Sequence, residues 1–303
     1  MIKANGQKVK DNFAIISTMR PIKAIILDVD GILVGDKIGY NSPDPHPRVI
    51  SKLRKIKEKG VPIFLCTAKP HYSVEKIIKG ANLDNLHITQ GGGVIINPLK
   101  GHVLNKNLID HELTTRIIKT YINNNTYIEL YTLDNYFIQA NQKSYLTQIH
   151  THILQKKPSI VANLSDESTK HETVKLMPIA KNEEDKELLT KLFEPFRDQL
   201  TLSWGIHPIA LPHLFGIVTA LGVSKSQAIE MVLKQNNIGP DEILAVGDSL
   251  SDWQFMEPCG YAATVANGNE ELKKLVQAKG INKSFIGKSV DDNGILDIFN
   301  HFL

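Results

Sequence analysis

The sequence has 303 residues, of which 42% are hydrophobic and 22% are charged, and its formal net charge is +3. This length is enough for one large domain or two ordinary ones, and so small a charge gives no support for nucleic-acid or membrane binding. No apolar run approaches a transmembrane span, and residues 1–20 contain no signal-peptide core, so we expect a cytoplasmic protein. Cys66 and Cys259 form no Cys-x-x-Cys pair and are expected to be buried free thiols, which suits a reducing compartment.

Strand-like and helix-like segments alternate in the first part of the chain. They are a strand at 22–27, a helix at 47–59, a strand at 61–66, a helix at 72–79 and a strand at 87–89. Val49, Leu53 and Ile56 share one face of the first helix, and Gly60 follows it at the position of a helix C-cap. Such alternation predicts an α/β fold built on a parallel, doubly wound sheet.

The pattern changes after Gly91-Gly92-Gly93 and returns near Leu214. Between these points the sequence predicts helices at 108–123, 144–155 and 183–198, strands at 159–162, 174–179 and 201–205, and a hairpin of strands at 127–133 and 136–140. After Leu214 it predicts a helix at 225–235, a strand at 242–246 and a helix at 270–278. The expected architecture is an α/β core formed by residues 1–91 and 214–303, with an inserted α+β domain at 92–213.

Polar residues that could carry chemistry follow the ends of the predicted core strands. They are Asp28, Asp30 and Gly31 after the first strand, Thr67 and Ala68 after the second, Lys225 at the start of a helix, and Gly247, Asp248 and Asp252 after the strand at 242–246. Ser224 and Gln227 have the spacing of a capping box, which places Lys225 in the first helical turn. Each feature alone has an ordinary explanation as a helix cap or a turn.

Taken together, the carboxylates, the hydroxyl and the lysine indicate a site for a cation and a phosphoryl group. Ligands of an open α/β sheet bind beyond the carboxyl ends of its strands, so these residues are expected to meet. Two carboxylates as close as Asp28 and Asp30 repel each other unless one is protonated or a cation lies nearby. Carboxylate oxygens suit Mg²⁺, whereas a hydroxyl, free amides and a lysine at a helix N-terminus suit a phosphoryl group.

These motifs, in this order, resemble those of the haloacid-dehalogenase (HAD) superfamily phosphatases. The matching residues are Asp28-Val29-Asp30-Gly31, Thr67, Lys225 and Gly247-Asp248-Ser249-Leu250-Ser251-Asp252, and the resemblance covers roughly residues 20–91 and 214–303. The insert lies between the second and third motifs, so the chain is most similar to the large-cap subclass that contains Cof-type sugar phosphatases, sucrose-phosphate phosphatase and trehalose-phosphate phosphatase. Two residues depart from that subclass, since Lys69 replaces the arginine of Thr-Gly-Arg and Ser251 replaces a frequent asparagine.

The resemblance implies a Rossmann-like core with a cap domain and a Mg²⁺-dependent phosphatase that acts on a small phosphorylated metabolite, in the first place a sugar phosphate. The implied ligands of Mg²⁺ are Asp28, Asp30 through its backbone carbonyl, Asp248 and Asp252. The implied ligands of the phosphoryl group are Thr67, the amide of Ala68 and Lys225. Asp28 is the implied nucleophile that forms an aspartyl-phosphate. Asp30 is the implied acid for the leaving group and then the base for water.

Other functions remain open alternatives. A phosphomutase of the same superfamily, similar to phosphomannomutase, would use Asp28 and Asp30 and return the phosphoryl group to the sugar. A signalling receiver would carry an acceptor aspartate after the third strand, whereas Gln90 and glycines follow it here. A non-catalytic phosphate-binding protein on this fold is disfavoured because all the motifs are chemically complete.

The insert offers few candidates for reading the leaving group. Tyr127, Trp204, His207 and His213 could do so, but each is expected to pack or to face solvent. His150 and His152 are two residues apart on a predicted helix and point to opposite sides, which argues against a metal site there. The sequence identifies neither the substrate nor the oligomeric state.

Overall fold

The computed structural model describes residues 21–303, except for the side chain of Pro208. The strands of this part are, in chain order, β1 (Ala24–Leu27), β2 (Ile63–Leu65), β3 (His87–Thr89), β4 (Val94–Asn97), β5 (His102–Lys106), β6 (Tyr127–Tyr131), β7 (Tyr136–Gln139), β8 (Ser159–Val161), β9 (Lys175–Ala180), β10 (Leu200–Ile206), β11 (Leu214–Ala220), β12 (Ile243–Val246), β13 (Tyr261–Val265) and β14 (Ser284–Gly287). The α-helices are α1 (Pro47–Glu58), α2 (His71–Ala81), α3 (His111–Asn123), α4 (Tyr145–Leu154), α5 (Leu164–Ser168), α6 (Glu183–Phe193), α7 (Lys225–Asn236), α8 (Trp253–Met256), α9 (Glu270–Ala278) and α10 (Ile295–Phe302).

Five strands form a parallel sheet in the order β14-β13-β12-β1-β2. Side chains alternate between the two faces of a strand. Accordingly, Ile25 and Leu27 of β1 pack on one face with α1, α2 and α10, whereas Ala24 and Ile26 pack on the other face with α7, α8 and α9. Helices on both faces of a parallel sheet make the predicted doubly wound α/β fold, which is confirmed.

The first helix forms where its apolar spacing predicts it. Val49, Leu53 and Ile56 are its buried residues. Proline occupies its first turn, where no intrahelical N–H bond is lost, and Gly60 follows its end with a φ of +87°. The predicted helical face and the predicted stop signal are therefore both observed.

Six strands form a second sheet in the order β10-β11-β9-β6-β7-β8, in which only the β7–β8 pair is parallel. One face packs on α3 and α6 through Ile117 and Leu189. The other face carries Met177 and Phe215, with α4 beside them and Tyr72 of α2 packed against them. This sheet and its helices make the inserted α+β domain, and its inner face is turned toward the core.

The sheets do not follow the predicted division at 91/92 and 213/214. The strand that begins at Leu214 pairs with β9 and β10, so residues 214–220 lie in the inserted sheet. Conversely, β4 and β5 extend a hairpin from β3, and Ile95 packs in the same cluster as Ile26 of the core. The apolar run of β11 resembles a core strand in composition, but its hydrogen-bonding partners place it elsewhere. We propose that the inserted domain spans residues 108–220.

Two smaller expectations concern thiols and membrane segments. Cys66 and Cys259 are both buried and free, as predicted. Within residues 21–303 no helix combines the length and the apolar character that crossing a bilayer requires. The expectation about a signal peptide concerns residues 1–20 and lies outside the described residues.

Candidate functional site

Lys225 joins two of the predicted acidic motifs. The Ser224 hydroxyl accepts a hydrogen bond from the Gln227 amide at 3.2 Å and begins α7 at Lys225. From there the Lys225 ammonium donates to Asp28 Oδ1 at 2.7 Å and to Asp252 Oδ1 at 2.8 Å. Burial alone would lower the pKa of Lys225, but Asp252 and Asp28 hold it well above its usual value. The predicted convergence of distant segments at the carboxyl ends of the strands is therefore observed.

Asp252 is completely buried and shapes the loop that follows β12. Its Oδ2 accepts hydrogen bonds from the backbone N–H groups of Asp248 (3.2 Å) and Ser249 (3.1 Å) and from the Ser249 hydroxyl (2.8 Å). Ser251, which departs from the resembled motif, is exposed and lies 2.8 Å from the Ser249 hydroxyl, Oγ to Oγ. One oxygen of Asp252 thus fixes the loop, while the other faces Lys225.

Asp28, Asp248 and Asp252 form a cluster that can hold a cation. One carboxylate oxygen from each lies within 4.8 Å of those from the others. Burial raises the pKa of Asp28 to about 7, with Lys225 opposing and Asp252 adding to the rise. Burial and the charges of Asp28 and Asp252 also hold the pKa of Asp248 well above its usual value. A hard divalent cation such as Mg²⁺ fits this donor set, because it would offset the mutual repulsion of the carboxylates.

Thr67 and Ala68 lie at the end of β2, next to the end of β1. The Thr67 side chain is buried, and its hydroxyl oxygen accepts from the Lys69 amide at 3.1 Å. Because that bond uses the oxygen as an acceptor, the hydroxyl proton is left to donate to an anion. The carbonyl of Ala68 accepts from the Lys175 ammonium at 3.0 Å, which fixes the loop from the side of the inserted domain.

Asp30 has two basic partners, a lysine and a histidine, that sequence reasoning did not assign to it. Lys69 Nζ lies 2.6 Å from Asp30 Oδ1, and His207 Nε2 lies 3.3 Å from the same oxygen. Burial would raise the pKa of Asp30, but the charges of Lys69 and His207 outweigh it and hold that pKa below its usual range. Lys69, which replaces the arginine of the resembled motif, therefore still contacts a predicted site residue.

His207, which the sequence predicts to pack or to face solvent, is packed in the interior and also contacts a predicted site residue. It follows β10 in the inserted domain, is buried, and reaches Asp30 of the core. No local motif marks this histidine, because its partner is distant in sequence. The other three candidates of the insert do not reach Asp30 in the described contacts. Trp204 packs against the inserted core, Tyr127 contacts Glu129 and Thr147, and His213 contacts the carbonyl of Ala210.

A pocket separates the inner face of the inserted sheet from the strand ends of the core. On the core side it is lined by Asp30, Ala68 and Lys69. Its other walls are lined by His150, Ile153, Leu154, Lys175, Met177, Gly205, Ile206, His207, Phe215 and Ile217. Two of the predicted site residues, Asp30 and Ala68, thus line a space between the strand ends of the core and the inserted sheet.

The structure is thus a doubly wound α/β core with a cluster of carboxylates at its strand ends and a second domain above them. The chain belongs to the haloacid dehalogenase-like hydrolase family, whose model matches residues 25–299. It is 22% identical to Phosphatase YwpJ of Bacillus subtilis (strain 168) over 299 residues, which cover 93% of this chain and 100% of that protein. The family match and this relative confirm the predicted enzyme class, a phosphoric monoester hydrolase of the HAD type.

Solved structures share the whole fold. A haloacid dehalogenase-like hydrolase from Bacteroides thetaiotaomicron superposes with a TM-score of 0.79 at 17% identity, covering 93% of this chain and 100% of that one. The HAD subclass IIB sugar phosphatase BT4131 superposes with a TM-score of 0.73 at 19% identity, covering 92% and 98%. At these identities the structures support the fold alone, including the inserted domain, and they confirm the predicted fold class. The predicted family is confirmed by the family model that matches residues 25–299.

Proposed function

We propose that the protein is a Mg²⁺-dependent phosphatase that hydrolyses a small phosphorylated metabolite, in the first place a sugar phosphate, through an aspartyl-phosphate. The observation that carries this proposal is the meeting of Asp28, Asp248 and Asp252 with Lys225 at one edge of the parallel sheet. The similarity to a sugar phosphatase structure supports the choice of substrate.

In this proposal the metal ligands are Asp28, Asp248 and the backbone carbonyl of Asp30, with Asp252 in support. When bound, Mg²⁺ supplies positive charge that offsets the carboxylates and the phosphoryl oxygens. Its site is consistent with the raised pKa values of Asp28 and Asp248 in the protein alone, because each reflects a carboxylate that lacks enough nearby positive charge.

The phosphoryl group is held by the Thr67 hydroxyl, the Ala68 amide and the Lys225 ammonium. The hydroxyl is already oriented, since its oxygen accepts from the Lys69 amide. Lys225 lies at the first position of α7, where the free amides and the helix dipole also favour an anion. These groups are fixed before the substrate arrives, which is how a site stabilises developing charge most effectively.

Asp28 attacks phosphorus and displaces the alkoxide of the substrate. Asp30 takes part in the two proton transfers, to the leaving alkoxide and from the attacking water. The leaving alkoxide needs a proton in the first step, and His207 Nε2, at 3.3 Å from Asp30 Oδ1, can hold that proton beside Asp30. In the second step a base must take a proton from water. Lys69 and His207 keep Asp30 in the carboxylate form that this step requires.

Release of inorganic phosphate from a panel of phosphorylated metabolites tests the proposal. We expect turnover with Mg²⁺ and none with EDTA, and we expect Asp28→Asn to lower kcat by roughly a thousandfold or more, since it removes the nucleophile. Asp198→Asn is the matched control, because the Asp198 side chain is 92% exposed in the inserted domain. Wild-type turnover by Asp28→Asn would overturn the mechanism, and phosphoryl transfer without phosphate release would indicate a mutase.

A further inference from the structure

Lys175 is a buried cation that the proposed reaction does not use. It begins β9 and has no exposed surface. Its ammonium donates to the Ala68 carbonyl and lies 3.9 Å from the centroid of the Tyr131 ring. Burial lowers the pKa of Lys175 to about 7, with Glu129 opposing. A buried ammonium with so little compensation is costly unless an anion can approach it.

Glu129 is the nearest acid in the same sheet, but its oxygens are already engaged. Oε1 accepts from His150 Nδ1 at 2.8 Å and from the Tyr127 hydroxyl at 3.2 Å, and Oε2 accepts from the Tyr131 hydroxyl at 2.5 Å. Among the side chains of residues 21–303, no carboxylate lies at ion-pair distance from Lys175. The acid therefore orients His150 and the tyrosines and leaves Lys175 without a direct counter-charge.

Lys175 lines the pocket above Asp30, and the other basic side chains that face Asp30 there are already paired. Lys69 and His207 both contact Asp30. Around Lys175 the wall is largely apolar, with Met177 and Phe215 among its residues. A ligand in this pocket thus meets one ammonium that has free hydrogen-bonding capacity and no carboxylate partner.

We propose that Lys175 binds a second anionic group, a carboxylate or a second phosphate, on the alcohol part of the substrate. This inference rests on the proposed function, since it assigns the phosphoryl group to Thr67 and Lys225 and the alcohol to the pocket. It narrows the substrate class to compact phosphorylated acids and bisphosphates. Charge pairing in a buried pocket is strong, because no water screens the two groups.

Matched pairs of esters test the assignment. The carboxylate arm compares D-3-phosphoglycerate with sn-glycerol 3-phosphate, and the second-phosphate arm compares fructose 1,6-bisphosphate with fructose 6-phosphate. In at least one arm we expect wild-type kcat/KM to favour the more anionic ester by about tenfold or more, as one desolvated charge pair can supply. The arm that shows the preference identifies which anion is bound.

Lys175→Met should abolish that preference and bring the ratio of kcat/KM values within each pair to about one. Lys175 also contacts Ala68, so the variant can slow both esters, but a loss common to both leaves the ratio unchanged. Lys175→Gln removes the charge and keeps a donor for Ala68, and it should lose the preference equally. Lys181→Met is the control, because Lys181 is exposed directly after the same strand.

An unchanged ratio in both Lys175 variants, or no preference in the wild type in either arm, would overturn the assignment. Failure of the proposed function has a different signature, because the wild type then releases phosphate from none of the four esters. In that case isothermal titration calorimetry of the same esters with wild-type and Lys175→Met protein decides the question. A tighter Kd for the more anionic ester that disappears in the variant supports the Lys175 subsite even without catalysis.

Discussion

Gly31 is a single residue on which the geometry of the acidic cluster depends. It follows Asp30 with a φ of +78°, and an added Cβ would lie 1.9 Å from Asp248 Oδ2. Gly31→Ala should therefore displace Asp248 as well as strain the backbone. We expect it to lower kcat/KM for any ester that the wild type hydrolyses by about a hundredfold and to remove most of the thermal stabilisation by Mg²⁺.

Gly39→Ala separates these two effects. Gly39 has a similar φ of +82°, but an added Cβ would meet no atom within 4 Å. This variant carries the same type of backbone strain, about 1 kcal/mol, without the clash. If both variants lost the Mg²⁺ response equally, contact between residue 31 and Asp248 would not be what shapes the site.

Individual site residues could be predicted where chemistry is concentrated in a short motif. Asp28 and Asp30 follow one buried strand, and Asp248 and Asp252 follow another, so their meeting follows from the parallel sheet itself. His207 and Lys175 could not be found in this way. Each belongs to the inserted domain, and its partner in the core is fixed only when the two domains pack together.

At the scale of elements, β3 depends on a neutral histidine. His87 is completely buried, its Nδ1 accepts from the Leu65 amide at 3.2 Å and its Nε2 bonds the Leu83 carbonyl at 3.1 Å. Burial lowers the pKa of His87 from 6.5 to about 4. Because the unfolded chain binds this proton more readily, stability is lost as the pH falls through the unfolded pKa. We expect this group to remove about 2 kcal/mol from the free energy of unfolding by about pH 5.

Urea unfolding of wild type and His87→Gln at about pH 7.5 and pH 5 measures this contribution. The variant should be less stable than the wild type at neutral pH, but it should lose less stability on acidification. His102→Gln is the control, since His102 is exposed on β5. Equal acid sensitivity of the wild type and His87→Gln would show that another group accounts for it.

Elements were predictable where apolar periodicity was strong, and their partners were not. The positions of β1, α1, β6, β7 and α7 agree with their sequence patterns within a few residues. The sequence prediction omitted β13, whose alanines give a weak apolar signal, and the hairpin of β4 and β5 after the glycine triplet. It predicted no strand at 214–220 and counted these residues with the core, whereas β11 pairs with β9 and β10, because an apolar run does not specify which strands it will hydrogen-bond with.

At the scale of the whole molecule, distant segments bring like charges together, and this should limit the stability of the metal-free protein. Asp28 and Asp248 have raised pKa values, so the native state holds their protons more tightly than the unfolded chain does. Stability in EDTA should therefore fall as the pH rises through about 7. Asp248→Asn removes one of these charges, and we expect it to raise the free energy of unfolding in EDTA by about 1 kcal/mol at about pH 8.

The same variant should lose the increase in Tm that Mg²⁺ gives to the wild type, because the cation then has one ligand fewer. Differential scanning calorimetry with EDTA and with Mg²⁺ measures both effects. Asp198→Asn, in the exposed part of the inserted domain, should behave like the wild type in each condition. If Asp248→Asn instead lowered the free energy of unfolding in EDTA, Asp248 would stabilise the metal-free fold, contrary to its proposed role as a cation ligand.

The chain leaves β11 and reaches Lys225 through residues 221–224 alone. Beside this short connection lies Gly92, where an added Cβ would come within 2.3 Å of the Ser224 carbonyl oxygen. Because no side chain fits at position 92, this close approach of two backbones sets where α7 and its Lys225 begin relative to the strand ends of the core. A movement of the inserted sheet away from the core would be transmitted through residues 221–224 to the Lys225 ammonium. Release of the alcohol from the pocket and weaker binding of the phosphoryl group by Lys225 would then occur together.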